Sequence, residues 1–419
     1  MNSPGSPVVL ENFTGVNHWN GPITLLAPES IINVPSIPRP LSFGGAISGP
    51  GGLTKIGAGI LTLDGNPTNT FNGLTFVAAG DLILNKSLSE SINGNLTIGD
   101  GIGGANADRV IVRGLGDEIW NGSRVIINSS GQLVLDSVLD LVGSIEGNGN
   151  ISLLNNTSGL IVGRNDLSTT FDGVISGAGG FEKVGIGTLT FNGSHTFTGV
   201  SGASEGTLVV NGSLASSASI QLNRPLGYPN NPPAILAGNG SVPAIFPFSG
   251  GTVSPGTSPG RLTVQGNADL ANSDLRIELN GTTPVTQYDQ LRVTGTVNLN
   301  NTKLFFTTGF PPTTNDTFLI LDKTSPGPIT GFFLNTTEGS VMGTGFNKFR
   351  ITYQGGDGND VVLRRVEIPA STISSIRPIT PERMQIRGQG VPFVTYILEA
   401  TPHLNAPTTI RSSRRLCNT

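Results

Sequence analysis

Apolar residues in this chain recur in short runs, three to five residues long, with glycine at their ends. Leu61-Thr62-Leu63, Leu82-Ile83-Leu84, Leu189-Thr190-Phe191 and Leu208-Val209-Val210 place apolar side chains at every second position. That is the period of a strand with one buried face. Val110–Val112, Val125–Ile127, Leu133–Leu135, Leu262–Val264, Leu275–Leu279, Phe318–Asp322 and Phe349–Tyr353 read as further strands. No long window carries a 3.6-residue apolar period, so helices are not expected. Gly51-Gly52, Asp64-Gly65 and Asn192-Gly193 mark corners, because glycine reaches positive φ without steric cost.

One stretch occurs twice. Ile47-Ser48-Gly49 matches Ile175-Ser176-Gly177. Gly51, Gly52, Lys55, Gly57, Gly59 and Leu61 match Gly179, Gly180, Lys183, Gly185, Gly187 and Leu189 in the same spacing. After two extra residues around Pro67, Thr70-Phe71 meets Thr196-Phe197, and the match runs on through Gly80 and Leu82 against Gly206 and Leu208. Very short strands with a corner after each suit a coiled solenoid, in which each turn buries its apolar face against the turns above and below. An array of hairpins is the competing reading. At roughly 20–25 residues per turn, about five turns separate the two copies.

The motif resembles the bacterial autotransporter-associated β-strand repeat, also called the passenger-associated transport repeat, with the pattern I-S-G-x-G-G-L-T-K-x-G-x-G-T-L-T-L. The second copy departs from it at Phe181-Glu182, where Leu-Thr is usual, and both copies carry Phe (Phe71, Phe197) where Tyr is common. Thr252–Val264, with its Pro255-Gly256 and Pro259-Gly260 turns, and Gln287–Leu291 resemble stretches that follow the repeat in the same family. The resemblance implies an all-β fold, a right-handed parallel β-helix or solenoid. It also implies an exported protein at the cell surface, associated with the outer membrane, whose repeats support folding and export.

Composition narrows the reading without changing it. Of 419 residues, 59 are Gly, 12% are charged, and the net charge is −4. Nucleic-acid binding wants a basic face, which this balance does not supply. One cysteine, Cys417, excludes an intrachain disulfide and a cysteine metal site. No run approaches about 18 apolar residues, so no membrane helix is expected. The start, Met1-Asn2-Ser3-Pro4-Gly5-Ser6-Pro7, lacks the basic and apolar regions of a signal peptide. An exported chain that begins so is read as having a misplaced start or as a fragment.

In order, residues 1–40 read as an imperfect first rung. Residues 41–214 read as solenoid with the two repeats at 47–88 and 175–214, 215–250 as a Pro-rich loop insertion, and 251–365 as further rungs. Residues 366–419 read as a linker and an incomplete immunoglobulin- or fibronectin-like segment, a short truncated β-sandwich whose strands would be Met384–Gly388 and Val394–Ala400.

Candidate chemistry is sparse. Gly355–Leu363 fits the nonapeptide G-G-x-G-x-D-x-U-x, making Asp357, Asn359 and Asp360 calcium candidates. A single copy offers few ligands, and a tight turn before a terminal strand is the plainer reading. His18, His195 and His403 are read as surface or corner residues, His195 replacing the usual Asn of the repeat. Asp64 and the Asp136/Asp140 pair are weighed as catalytic carboxylates and read as a solvated edge. Lys55 and Lys183 are read as exposed charges that discourage edge pairing. Trp19, Trp120 and an exposed Tyr288 are candidate carbohydrate platforms, with packing as the alternative. No cluster identifies an enzyme or an organic cofactor. The expected function is a non-enzymatic surface scaffold or adhesin for an unknown extracellular ligand, a carbohydrate or the surface of a host or neighbouring cell. Alternatives are a polysaccharide-binding or polysaccharide-cleaving β-helix and a calcium-stabilised adhesin.

Overall fold

The computed structural model describes residues 8–87, 90–222, 233–247, 250–343, 347–367, 372–380 and 383–389. Every regular element in these residues is a β-strand. Three large sheets of 14, 8 and 13 strands run along the molecule, built almost entirely from parallel pairs between successive turns. This is a β-solenoid. Fourteen strands at about 4.8 Å per step stack to about 60 Å.

Strict registry produces the core. In the eight-stranded sheet, Phe43, Leu63, Leu84, Val112, Leu135 and Leu153 lie directly above one another, and all are buried. Their neighbours Ser42, Thr62 and Ser152 alternate outward. A slip of one residue would turn such a column to solvent, so the pattern enforces register. Corners are equally constrained. Gly49 and Gly177 both have φ of +108°. An added Cβ would lie 2.3 Å from Leu25 O in the first case and 2.0 Å from Leu153 O in the second. Only glycine permits both the dihedral and the approach of the rung beneath.

The two repeat copies do not sit on the same faces. In the first, Gly52–Ile56 belongs to the 14-stranded sheet and Ile60–Gly65 to the eight-stranded one. In the second, Gly180–Lys183 belongs to the 13-stranded sheet and Thr188–Phe191 to the 14-stranded one. The motif has moved round by one face. Each face asks the same of its strand, alternating inward residues and a glycine corner, so the motif is portable.

Two segments differ from the sequence reading. Within 215–250, the strands Ile220–Leu222, Ile235–Gly238 and Ser241–Pro247 join the sheets, and the Pro-rich stretch 223–232 lies outside the described residues. At the far end, parallel stacking gives way to antiparallel pairing. Thr317–Lys323 pairs with Asp360–Arg365, which pairs with Phe349–Gly355. The last strands are thus a hairpin cap, not further rungs. Beyond it, Thr372–Thr380 and Arg383–Gln389 form a two-stranded antiparallel sheet. The expected strand Val394–Ala400 lies outside the described residues.

Candidate functional site

The repeat lysines correct the sequence reading. Lys55 and Lys183 are buried, not exposed. Lys55 stands in an inward column between Ile32 and Val77, and Lys183 in one between Val162 and Ala203. Each curls its ammonium into the corner. Lys55 Nζ donates to Ile56 O, Gly57 O and Ala79 O at 3.1, 2.6 and 2.9 Å. Lys183 Nζ donates to Val184 O, Gly185 O and Glu205 O at 2.7, 2.8 and 3.3 Å. The cation thus takes two carbonyls of its own corner and one from the next turn. Burial pushes both down to about 8, against nearby carboxylates that pull the other way. Strand alternation held the signal, since Lys55 shares the parity of Leu53.

His195 is also interior, contrary to its reading as a surface or corner residue. Its Nδ1 accepts the Ile175 amide at 3.0 Å, as Asn69 Oδ1 accepts the Ile47 amide at 2.8 Å in the first copy. Asn69 Nδ2 also donates upward to Ser91 O at 2.9 Å, whereas His195 Nε2 has no partner. Burial pushes the His195 imidazole down to about 4. Tyr288, expected to be exposed, is buried against Phe318, and its hydroxyl accepts the Leu319 amide at 3.2 Å. Trp19 and Trp120 are exposed. His18 is also exposed and faces Asp64 at 3.5 Å. His403 lies outside the described residues.

The weighed carboxylates do not converge. Asp136 pairs with Arg113 at 3.0 Å on the exterior, while Asp140 points into the core, where burial raises its carboxyl far above the usual range. Glu118, missed in the sequence, is buried and bonded by Ser91 Oγ. Burial pushes it up to about 7.

The glycine-rich nonapeptide forms the turn between the strands Phe349–Gly355 and Asp360–Arg365 of the cap. Asp360 Oδ1 accepts the Lys323 amide at 2.8 Å, and Asn359 Nδ2 donates to Ser325 O at 2.8 Å. Asn359 Oδ1 is buried without a partner, and Asp357 is exposed. Beside them, the buried Lys323 ammonium donates to Ser325 O, Pro326 O and Gly327 O at 2.6, 3.0 and 2.7 Å. This side chain thus holds the carbonyls of the neighbouring 325–327 loop, one of which, Ser325 O, also accepts from Asn359.

One exterior feature escaped the sequence reading. Asn192 Nδ2 donates to Asp172 Oδ1 at 2.7 Å, and Asn211 Nδ2 to Asn192 Oδ1 at 3.0 Å. Asn239 N then reaches Asn211 Oδ1 at 3.4 Å, and Asn239 Nδ2 donates to Thr257 Oγ1 at 2.7 Å. The result is an exposed polar ladder crossing five turns along one corner. Its signal was present: Asp172, Asn192, Asn211 and Asn239 each precede a glycine.

Comparison with known proteins agrees with this architecture. Residues 53–84 and 181–215 match the passenger-associated-transport-repeat family. A 245-residue segment, 57% of this chain, is 30% identical to part of the adhesin BmaC autotransporter of Brucella suis and covers 6% of that protein. A 90-residue segment, 22% of the chain, is 36% identical to part of an extracellular serine protease of Serratia marcescens and covers 8% of it. The chain therefore spans only a small part of either relative.

Proposed function

We propose that this chain, a β-solenoid carrying two passenger-associated transport repeats, is the rod of a non-enzymatic adhesin displayed outside the cell at the outer membrane. The observation that supports this most is the long parallel stack that precedes the antiparallel cap. Its recurrent residues, including the lysines, serve the interior, and its loops and ladders face outward. Such a rod holds a binding surface away from the cell while each turn rests on the one before it. The exposed Asp172–Thr257 ladder is the surface assigned to the ligand. Amide and hydroxyl groups in a row suit a polar partner such as a carbohydrate.

The likeness to an extracellular serine protease makes cleavage the second reading. Among the described residues, His195 is walled into the core and the weighed carboxylates do not converge, which favours binding over hydrolysis. At the C-terminal turn, the Lys323 ammonium favours a corner closed from within over a calcium-stabilised one. The full chain, immobilised on beads, tests the proposal: it should retain host-type cells or glycans in a saturable way. Asn192→Ala/Asn211→Ala should reduce retention without lowering thermal stability much. Release of fragments from protein or polysaccharide substrates would overturn the non-enzymatic reading. Undiminished retention in the double variant would move the ligand off the ladder.

A further inference from the structure

We propose that His18, Asn20 and Asp64 form a binding site for a divalent transition-metal ion of the zinc type, on an outer corner of the first turns. Trp19, Phe43 and Leu63 are stacked in register on three successive turns. The residues that follow them, Asn20, Gly44 and Asp64, therefore form one corner column. The middle position has no side chain. Groups from the turn below and the turn above close over it. A Cβ built on Gly44 would lie 2.5 Å from Asn20 Oδ1, 2.6 Å from His18 Nε2 and 3.2 Å from Asp64 Oδ1. Three potential ligand atoms thus converge over the bare Gly44, in the space that any other residue's side chain would occupy.

Two observations point beyond a simple surface contact. Asp64 Oδ1 is sealed from solvent and has no hydrogen-bond partner, whereas buried carboxylate oxygens are normally satisfied. His18 Nε2, at 3.5 Å, is too distant to satisfy it well. That separation is close to the roughly 3.3–3.5 Å expected between two ligands of a tetrahedral ion with bonds of about 2.0–2.2 Å. One imidazole, one carboxylate and one amide oxygen favour zinc-type ions over calcium or magnesium, which prefer all-oxygen cages. Among the described residues, no three His, Cys, Asp or Glu side chains come together, so the Asn20 amide completes the set. The site keeps a position for water or for a donor from a ligand. The His18 side chain is 49% exposed, so the ion can exchange.

Calorimetric titration of the full chain with zinc chloride tests this. It is done in a Cys417→Ser/His403→Ala background to remove other zinc ligands. Saturable 1:1 binding is expected. His18→Ala and Asp64→Asn should each weaken it about tenfold or more, since losing a direct ligand costs at least what losing an outer-shell partner does. Gly44→Ala changes no ligand residue but drives a methyl against Asn20 Oδ1 and His18 Nε2, and should abolish binding while the unliganded protein loses little in melting temperature, because both neighbours are side-chain ends that can turn away. Nickel, a second probe, should quench the fluorescence of the neighbouring Trp19, and His18→Ala should remove that quenching. Absence of binding, or binding that persists in both His18→Ala and Gly44→Ala, would overturn the proposal.

Discussion

At the scale of single residues, burial decides what the repeat positions do. Lys55 shares an inward column with Ile32 and Val77, yet it is a cation. It is tolerated because three carbonyls accept hydrogen bonds from its ammonium. Lys55→Met keeps the stem and removes the donors, so it should cost about 1–3 kcal/mol in urea unfolding through unsatisfied carbonyls. His195→Asn should do the reverse. It restores the upward bond that Asn69 makes and should stabilise by about 1 kcal/mol. It should also remove an acid sensitivity. With an imidazole at about 4 in the folded state and about 6.5 unfolded, the unfolded chain binds the extra proton between these values. Stability from His195 is therefore full above pH 6.5 and lost as pH falls toward 4. Glu118 has the opposite sign. Its carboxyl sits at about 7 folded and near 4.3 unfolded. Its contribution is full below about pH 4.3 and lost as pH rises through 7. Urea midpoints for Glu118→Gln should thus gain on the parent between pH 5 and pH 7.5; parallel profiles would contradict the burial of that carboxyl.

At the scale of elements, strand alternation and glycine corners were legible from the residues, and so was the repeat. The parity that makes Leu61 and Leu63 inward also makes Lys55 inward, but a charge on a short strand reads more naturally as solvated. His195 could be recognised as a substituted Asn, whereas its burial needed the next turn to be seen. The rotation of the motif by one face was not legible. It depends on how many residues each intervening corner consumes, and Gly and Asn give no count of that. The antiparallel cap was hidden for a related reason, since Phe349–Gly355 and Asp360–Arg365 alternate just as rung strands do. The corner account makes a sharp demand at Gly177. Gly177→Ala must hold φ near +108° and meet Leu153 O, so it should lose on the order of 2–3 kcal/mol. Ala in place of Gly358, where nothing lies within 4 Å, carries only the dihedral strain and should lose less. Denaturation midpoints of the two variants make the comparison.

At the scale of the molecule, stability and the proposed display would come from the same stack. Chemistry was hardest to read here, because a site on a solenoid is assembled from residues one or two turns apart. His18 and Asp64, or Asn192 and Asn211, are neighbours only through registry. The metal corner and the polar ladder therefore stand or fall with that registry. Ser42 and Thr62 are directly paired, outward-facing residues on adjacent parallel strands, and Ile83 is one strand further along. Paired Cα atoms on adjacent strands lie about 4.8 Å apart, within disulfide reach, whereas a step of two strands exceeds it. The decisive measurement is mild oxidation of Ser42→Cys/Thr62→Cys in a Cys417→Ser background, with Ser42→Cys/Ile83→Cys as its partner. The stacked solenoid predicts a rapid intrachain disulfide in the first and none in the second. No bond in the first, or equal bonding in both, would contradict the parallel stack.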